Sequence, residues 1–154
     1  KKRARRAMQD PSMVDDERLK DELMEVLRHD KIYSPEGAVI QADRGRDVEL
    51  KVGRWLKEKK KKFLTEKQSK EQGYPKTPDF RLEAPFKIHG NWVNWIECKG
   101  TFGDKKEIQK DYRGQLTHYV DLFGAGVVIY WYGFIPGILS DDRIMVYDRS
   151  LVEK

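Results

Sequence analysis

Residues 93–100, Val93-Asn94-Trp95-Ile96-Glu97-Cys98-Lys99-Gly100, end an apolar run with a carboxylate and an ammonium two residues apart. β-Branched and aromatic residues favour an extended chain here, and side chains at i and i+2 of a strand leave the same face. Glu97 and Lys99 therefore stand side by side where the strand ends. Upstream, Asp79 follows Thr77-Pro78 and opens a second strand-like run, Phe80-Arg81-Leu82-Glu83. A strand-edge ion pair and a turn aspartate would account for these residues one at a time. Taken together they suit a metal-dependent phosphodiesterase, because Mg2+ keeps several waters and takes only one or two protein carboxylates beside phosphate oxygens. Asp79 and Glu97 supply that number. Lys99 would then stabilise a phosphorane or orient the attacking water.

Outward from this segment, the pattern alternates between helical and extended periodicity. Leu19, Leu23, Val26 and Leu27 recur at helical spacing between Val14 and His29, with Asp15, Asp16 and Glu17 at the N-terminal end. Asp30 to Arg44, with Ser34-Pro35 and Gly37, reads as a connector to a second helix from about Arg46 to Lys61. Short β-type runs follow at 63–65, 79–83 and 92–98, with 68–76 and 85–91 expected as loops or turns. Ile108, Tyr112, Leu116, Tyr119, Val120 and Phe123 form a helical apolar face over 104–123, closed by Gly124-Ala125-Gly126. The unbroken apolar run 127–134 predicts a strand covered on both faces, and 144–147 an edge strand. This order predicts an α/β fold, a mixed sheet flanked by helices with an extra N-terminal helix. A basic arm, helix and connector would occupy 1–43, and the catalytic domain 44–154.

A chain of 154 residues with 38% hydrophobic residues can bury one real core. Its net charge of +5 is concentrated in Lys1 to Arg6 and Lys57 to Lys62, blocks that suit an anionic partner as well as a solvated face. The single cysteine excludes an intramolecular disulfide framework and a multi-cysteine zinc site. No apolar run approaches the roughly 20 residues needed to span a bilayer, so no membrane role and an intracellular location are expected. The N-terminus carries no apolar signal segment and does not begin with Met, so a preceding region is expected to be missing. His29, His89 and His118 are too scattered to form a metal cluster. Trp92, Trp95, Trp131 and Tyr130 are expected in core packing rather than stacked on bases.

Three further side chains extend the candidate site. Glu49 shares a helical stripe with Val52, Gly53 and Leu56 and could supply a third carboxylate, a role for which Asp47 competes. Gln115 and Tyr119, at i and i+4, lie on one helical face.

Thr77-Pro78-Asp79 followed by Glu97-Cys98-Lys99, together with the helix, three strands, helix, strand order of 47–134, resembles the PD-(D/E)XK nuclease superfamily and its restriction-endonuclease-like core. The stretches Gly73 to Phe80, Trp95 to Lys99 with Phe102-Gly103-Asp104, and Val128 to Ile135 resemble its TPD-motif branch. That resemblance implies a Mg2+- or Mn2+-dependent nuclease acting on nucleic acid, DNA ahead of RNA. It makes Asp79 and Glu97 metal ligands with the Cys98 backbone carbonyl as a third, Lys99 the catalytic lysine and Glu49 an accessory carboxylate. Gln115 and Tyr119 resemble the Gln-x-x-x-Tyr element of RecB-like nucleases. The branch further implies a protein partner of the codanin type and residence in nucleus and cytoplasm if the source is eukaryotic, cytoplasm if archaeal, and allows a homodimer. The alternative is a catalytically weak nucleic-acid-binding or protein-docking module on the same fold.

Overall fold

The computed structural model describes residues 10–29 and 35–153. The basic hexamer Lys1 to Arg6 and the start of the connector lie outside them. By contacts the chain divides into two compact units, residues 1–44 and 45–154. In the first unit a 3-10 turn, Pro11–Met13, precedes helix α1, Glu17–His29, where Leu19, Met24 and Val26 are exposed. Helix α2 runs Pro35–Glu58 and so begins earlier than the connector reading expects. Proline is the reason. At the first helical position its missing N–H has no partner to lose and its fixed φ suits the helix.

The second unit is built on a five-stranded mixed sheet in the order β1-β2-β3-β4-β5. The strands are β1 Phe63–Thr65, β2 Phe80–Ile88, β3 Asn91–Lys99, β4 Gly126–Tyr130 and β5 Ile144–Tyr147. β1, β2 and β3 pair antiparallel; β3, β4 and β5 pair parallel, with β5 at the edge. Helices flank the sheet, as a restriction-endonuclease-like core requires. No helix among the described residues is long and apolar enough to cross a membrane.

Several boundaries differ from the sequence expectation, each for a local reason. Residues 66–71 form a short helix, α3, because Thr65 and Gln68 close a reciprocal capping box at its start. Residues 85–91 are not a loop. β2 continues to Ile88 and turns through His89 and Gly90, both at positive φ, before Asn91 pairs with Ile88. That is a two-residue hairpin turn of the primed type. Pro85 is tolerated because the β2/β3 register shifts between Arg81 and Phe86, so no ladder donor is required of it. β4 ends at Tyr130, and Trp131 to Phe134 leave the strand. Beyond Asp104, whose carboxylate accepts from the Glu107 amide, the helical stretch is α4 Lys105–Asp111, a π-helical turn Tyr112–Leu116 and α5 Thr117–Phe123.

Two apolar layers sandwich the sheet. Val48, Val52, Trp55 and Leu56 of α2 pack on Leu82, Ile96, Cys98, Val127 and Ile129. Ile108, Leu116, Tyr119 and Val120 pack on Trp95, Val128 and Tyr130. Trp95 and Trp131 are buried as expected, whereas Trp92, at the start of β3, is 57% exposed beneath the Lys87 ammonium.

Trp95 fixes the closest approach in the sheet. Its indole N–H donates to the Gly124 carbonyl at 2.7 Å, and a Cβ on Gly126 would stand 2.1 Å from its ring carbons. Gly126→Ala is therefore expected to lower stability by about 3 kcal/mol, read as a fall in the urea midpoint at unchanged m-value. Gly114→Ala, where a Cβ meets nothing within 4 Å, is the control and should change stability by less than about 1 kcal/mol.

Candidate metal and catalytic site

The site forms where β2 begins and β3 ends. Asp79, just before β2, turns its Oδ2 to accept the Cys98 amide at 2.7 Å, and the Asp79 amide donates to Glu97 Oε2 at 3.3 Å. Lys99 Nζ lies 2.9 Å from Glu97 Oε1 and donates to Gln115 Oε1 at 2.6 Å. Glu97 and Lys99, which the strand period put together, and Asp79 from the preceding segment are thus in one hydrogen-bonded chain, closed on the helical side by Gln115. Tyr119 is buried beside them, edge-on to Trp95, and the Glu97 charge acts on its hydroxyl.

Glu49 stands apart. It is exposed on α2 and lines a groove with Arg46, Gly53, Phe63 and Phe80, yet its charge still acts on Asp79. Asp47 pairs with Lys51 at 2.9 Å on the exposed side of the helix.

One participant escaped the sequence reading. Asp111, buried at the end of α4, holds Oδ1 3.8 Å from Lys99 Nζ and accepts the Tyr130 hydroxyl at 2.9 Å. The signal was present, since Asp111, Gln115 and Tyr119 are spaced by four on one helical stripe. The π-helical turn begins directly after Asp111, and such bulges are frequent at functional sites.

Burial dominates the electrostatics. It pushes the Asp79 carboxyl up to about 8, with the Glu97 charge adding to the rise and the Cys98 amide opposing it. Burial also raises Glu97 and Asp111, against the pull of the Lys99 ammonium on both. Burial works to lower Lys99, but the charges of Glu97 and Asp111 outweigh it and hold the ammonium above its usual range. Burial and the neighbouring carboxylates push Tyr119 and Tyr130 upward, so both hydroxyls remain neutral donors. Burial likewise raises Cys98, whose side chain lies in the apolar layer on the opposite face from Glu97 and Lys99.

These residues fit a divalent cation. With every carboxylate ionised, Asp79, Glu97 and Asp111 face one ammonium, so negative charge exceeds positive in a buried setting. The Lys99 carbonyl accepts from the Trp131 amide on the β4 side, so Cys98, one residue earlier, directs its N–H and C=O toward Asp79. Two carboxylates and one carbonyl are an all-oxygen set suited to Mg2+ or Mn2+. Among the described residues no group of three or more His, Cys, Asp and Glu side chains is placed to hold a metal. The Thr77 hydroxyl, two residues from Asp79, is buried without a hydrogen-bond partner among the described residues.

Over residues 15–150 the chain matches the family described as "Protein of unknown function TPD sequence-motif". The chain belongs to this TPD family. It is 38% identical over 128 residues to CDAN1-interacting nuclease 1 of Homo sapiens and of Mus musculus, covering 83% of the chain and 46% of each relative. The Gallus gallus protein of the same name is 47% identical over 72 residues, which is 47% of the chain and 26% of that relative. The TPD chain therefore spans a little under half the length of the mammalian relatives. No solved structure matches it.

The raised carboxyl of this TPD chain has a thermodynamic consequence. Between the unfolded value near 4 and the folded value of about 8, the native state holds a proton on Asp79 that the unfolded chain releases, so stability falls as pH rises through that window. Asp79→Asn keeps an acceptor for the Cys98 amide and removes the charge. It should stabilise the metal-free chain by about 1–3 kcal/mol at pH 8.5, roughly, and by almost nothing near pH 4, measured by urea titration at both pH values.

Proposed function

We propose that this TPD chain is a divalent-metal-dependent nuclease that hydrolyses phosphodiester bonds of DNA. The observation that carries this reading is the hydrogen-bonded set Asp79, Glu97 and Lys99, with Lys99 Nζ 2.9 Å from Glu97 and all three drawn to one strand end. The names of its relatives support it, because CDAN1-interacting nuclease 1 is called a nuclease. The basic balance of the chain favours a polyanionic substrate.

Asp79, Glu97 and the Cys98 carbonyl would hold the cation. Bound there, Mg2+ or Mn2+ supplies Lewis acidity toward a phosphoryl oxygen and offsets charge on the leaving oxygen. Lys99 does the work of a fixed donor. Its ammonium has three N–H donors, of which Glu97 and Gln115 take two, and the third can hydrogen-bond to a phosphoryl oxygen or orient the attacking water. Gln115 and Asp111 set the direction of that third donor, and the neutral Tyr130 hydroxyl holds Asp111 in place. Tyr119, buried beside Glu97, closes the site from the helical side. A protein partner belongs to the same proposal, since the relatives' name describes interaction with CDAN1.

Cleavage of labelled single-stranded, duplex, flapped and branched DNA, and of matched RNA, tests the reading with Mg2+, Mn2+ or chelator present. Wild type should cut only with the cation. Lys99→Ala, Asp79→Asn and Glu97→Gln should each lower the rate by at least about 100-fold. Equal cutting by wild type and these variants would sink the nuclease reading and leave a binding or docking module on the same fold.

A further inference from the structure

The β3/β4 ladder does not stop at the site. Lys99 pairs with Tyr130, and four residues further on each chain Gly103 and Phe134 form a parallel bridge in the same register. The Gly103 amide donates to the Gly133 carbonyl and the Ile135 amide to the Gly103 carbonyl, both at 2.9 Å. Two loops, 100–104 and 131–137, are thereby clamped together directly beyond Lys99. Glycine makes the clamp feasible. A Cβ at Gly103 would lie 2.8 Å from the Tyr130 ring, and Gly133 sits at φ +99 with the Phe102 ring 3.3 Å from where its Cβ would be.

On this rigid pair stand large apolar side chains that are not buried: Phe102 is 49% exposed, Tyr132 50% and Ile135 43%. Phe102 rests against the Gly133 backbone, which leaves half its surface to solvent. Phe102 lies three residues beyond Lys99, which puts it at most about 11 Å away, within reach of a nucleotide or two next to the site. Next along the chain, Lys105, Lys106, Lys110 and Arg113 line a shallow groove with Gln109. The nearby carboxylates are engaged elsewhere, Asp104 with the Glu107 amide and Glu107 with Lys110.

We propose that Phe102, Tyr132 and Ile135 form a platform on which unpaired bases stack immediately beside the catalytic centre, with the strand's phosphates carried by Lys105, Lys106 and Arg113. This rests on the nuclease reading and adds the substrate class, a strand with an unpaired segment next to the cleaved bond. The reason is geometric. A duplex hides its base faces, so exposed rings gain stacking only from unstacked bases, while the lysine groove that follows Phe102 along the chain serves paired and unpaired strands alike.

Binding in chelator separates this from catalysis. Fluorescence anisotropy would compare a single-stranded oligonucleotide with a hairpin duplex of equal charge at one fixed salt concentration, with 2-aminopurine in the single strand to report stacking. Wild type should favour the single strand by about tenfold or more and quench the 2-aminopurine. Phe102→Ala should weaken single-strand binding by about 5- to 100-fold, leave duplex binding unchanged and abolish the quench, whereas Phe102→Trp should retain all three properties. Thermal unfolding of both variants checks that the fold is kept. The platform is overturned if wild type binds both forms equally or neither, or if folded Phe102→Ala behaves as wild type, which would turn the three apolar side chains into a protein contact. Metal-dependent cleavage decides the nuclease reading separately, because neither binding result requires it.

Discussion

One hydrogen bond organises this molecule: the Cys98 amide donating to Asp79 Oδ2 at 2.7 Å. β2 begins only at Phe80, opposite Ile96, so the last residues of β3 run past the start of their neighbour. Cys98 would there present a buried backbone donor with no ladder partner, at a cost of about 1–3 kcal/mol if unmet. Asp79 meets it with a side chain. The carboxylate is thereby brought beside Glu97, and a strand boundary becomes a cluster of acids. The Thr77-Pro78 segment before it favours an extended entry, since a residue preceding proline avoids the helical region.

The cost of the acid cluster is met by the second helical layer. Lys99 is partly buried among Glu97, Asp111 and Gln115, and its charge opposes the rise that burial imposes on Glu97 and Asp111. A straight helix would carry residues 111, 115 and 119 in a line that drifts across its surface. The π turn at Tyr112–Leu116 widens the winding between Asp111 and Tyr119, and in this geometry Asp111 and Gln115 both reach the same ammonium. Tyr130, on the neighbouring strand, then supplies the donor that keeps Asp111 from swinging free.

How much of this could be read from residues alone follows from the range of the forces involved. Glu97 and Lys99 were legible because strand alternation is local and has a fixed period, and the sheet with its edge strand Ile144–Tyr147 followed from apolar runs and their order. Asp111 shares a helical stripe with Gln115 and Tyr119, but that spacing does not say that the carboxylate is buried or charged against a lysine; its partners, Lys99 and Tyr130, are brought by tertiary structure. The π turn is equally invisible, since YRGQL has ordinary helical patterning and the extra residue per turn is decided by what the side chains meet. Proline misled twice in opposite settings. Pro35 opens a helix and Pro85 sits in a register shift, so in neither place does it interrupt the element it belongs to.

Cys98 shows how one position can serve two layers without compromise. Its side chain faces Val52, Ile96 and Ile129 in the apolar layer, where burial and the Asp79 and Glu97 charges all disfavour a thiolate, so it is an inert small hydrophobe. Its main chain faces the other way in function: the amide holds Asp79, and the carbonyl points along the same edge. Only the backbone of residue 98 enters the site. Side-chain identity there is a matter of volume, whereas the residues on either side of it, Glu97 and Lys99, act through charge and donor count. Alternation along a single strand thus separates packing from chemistry at a resolution of one residue.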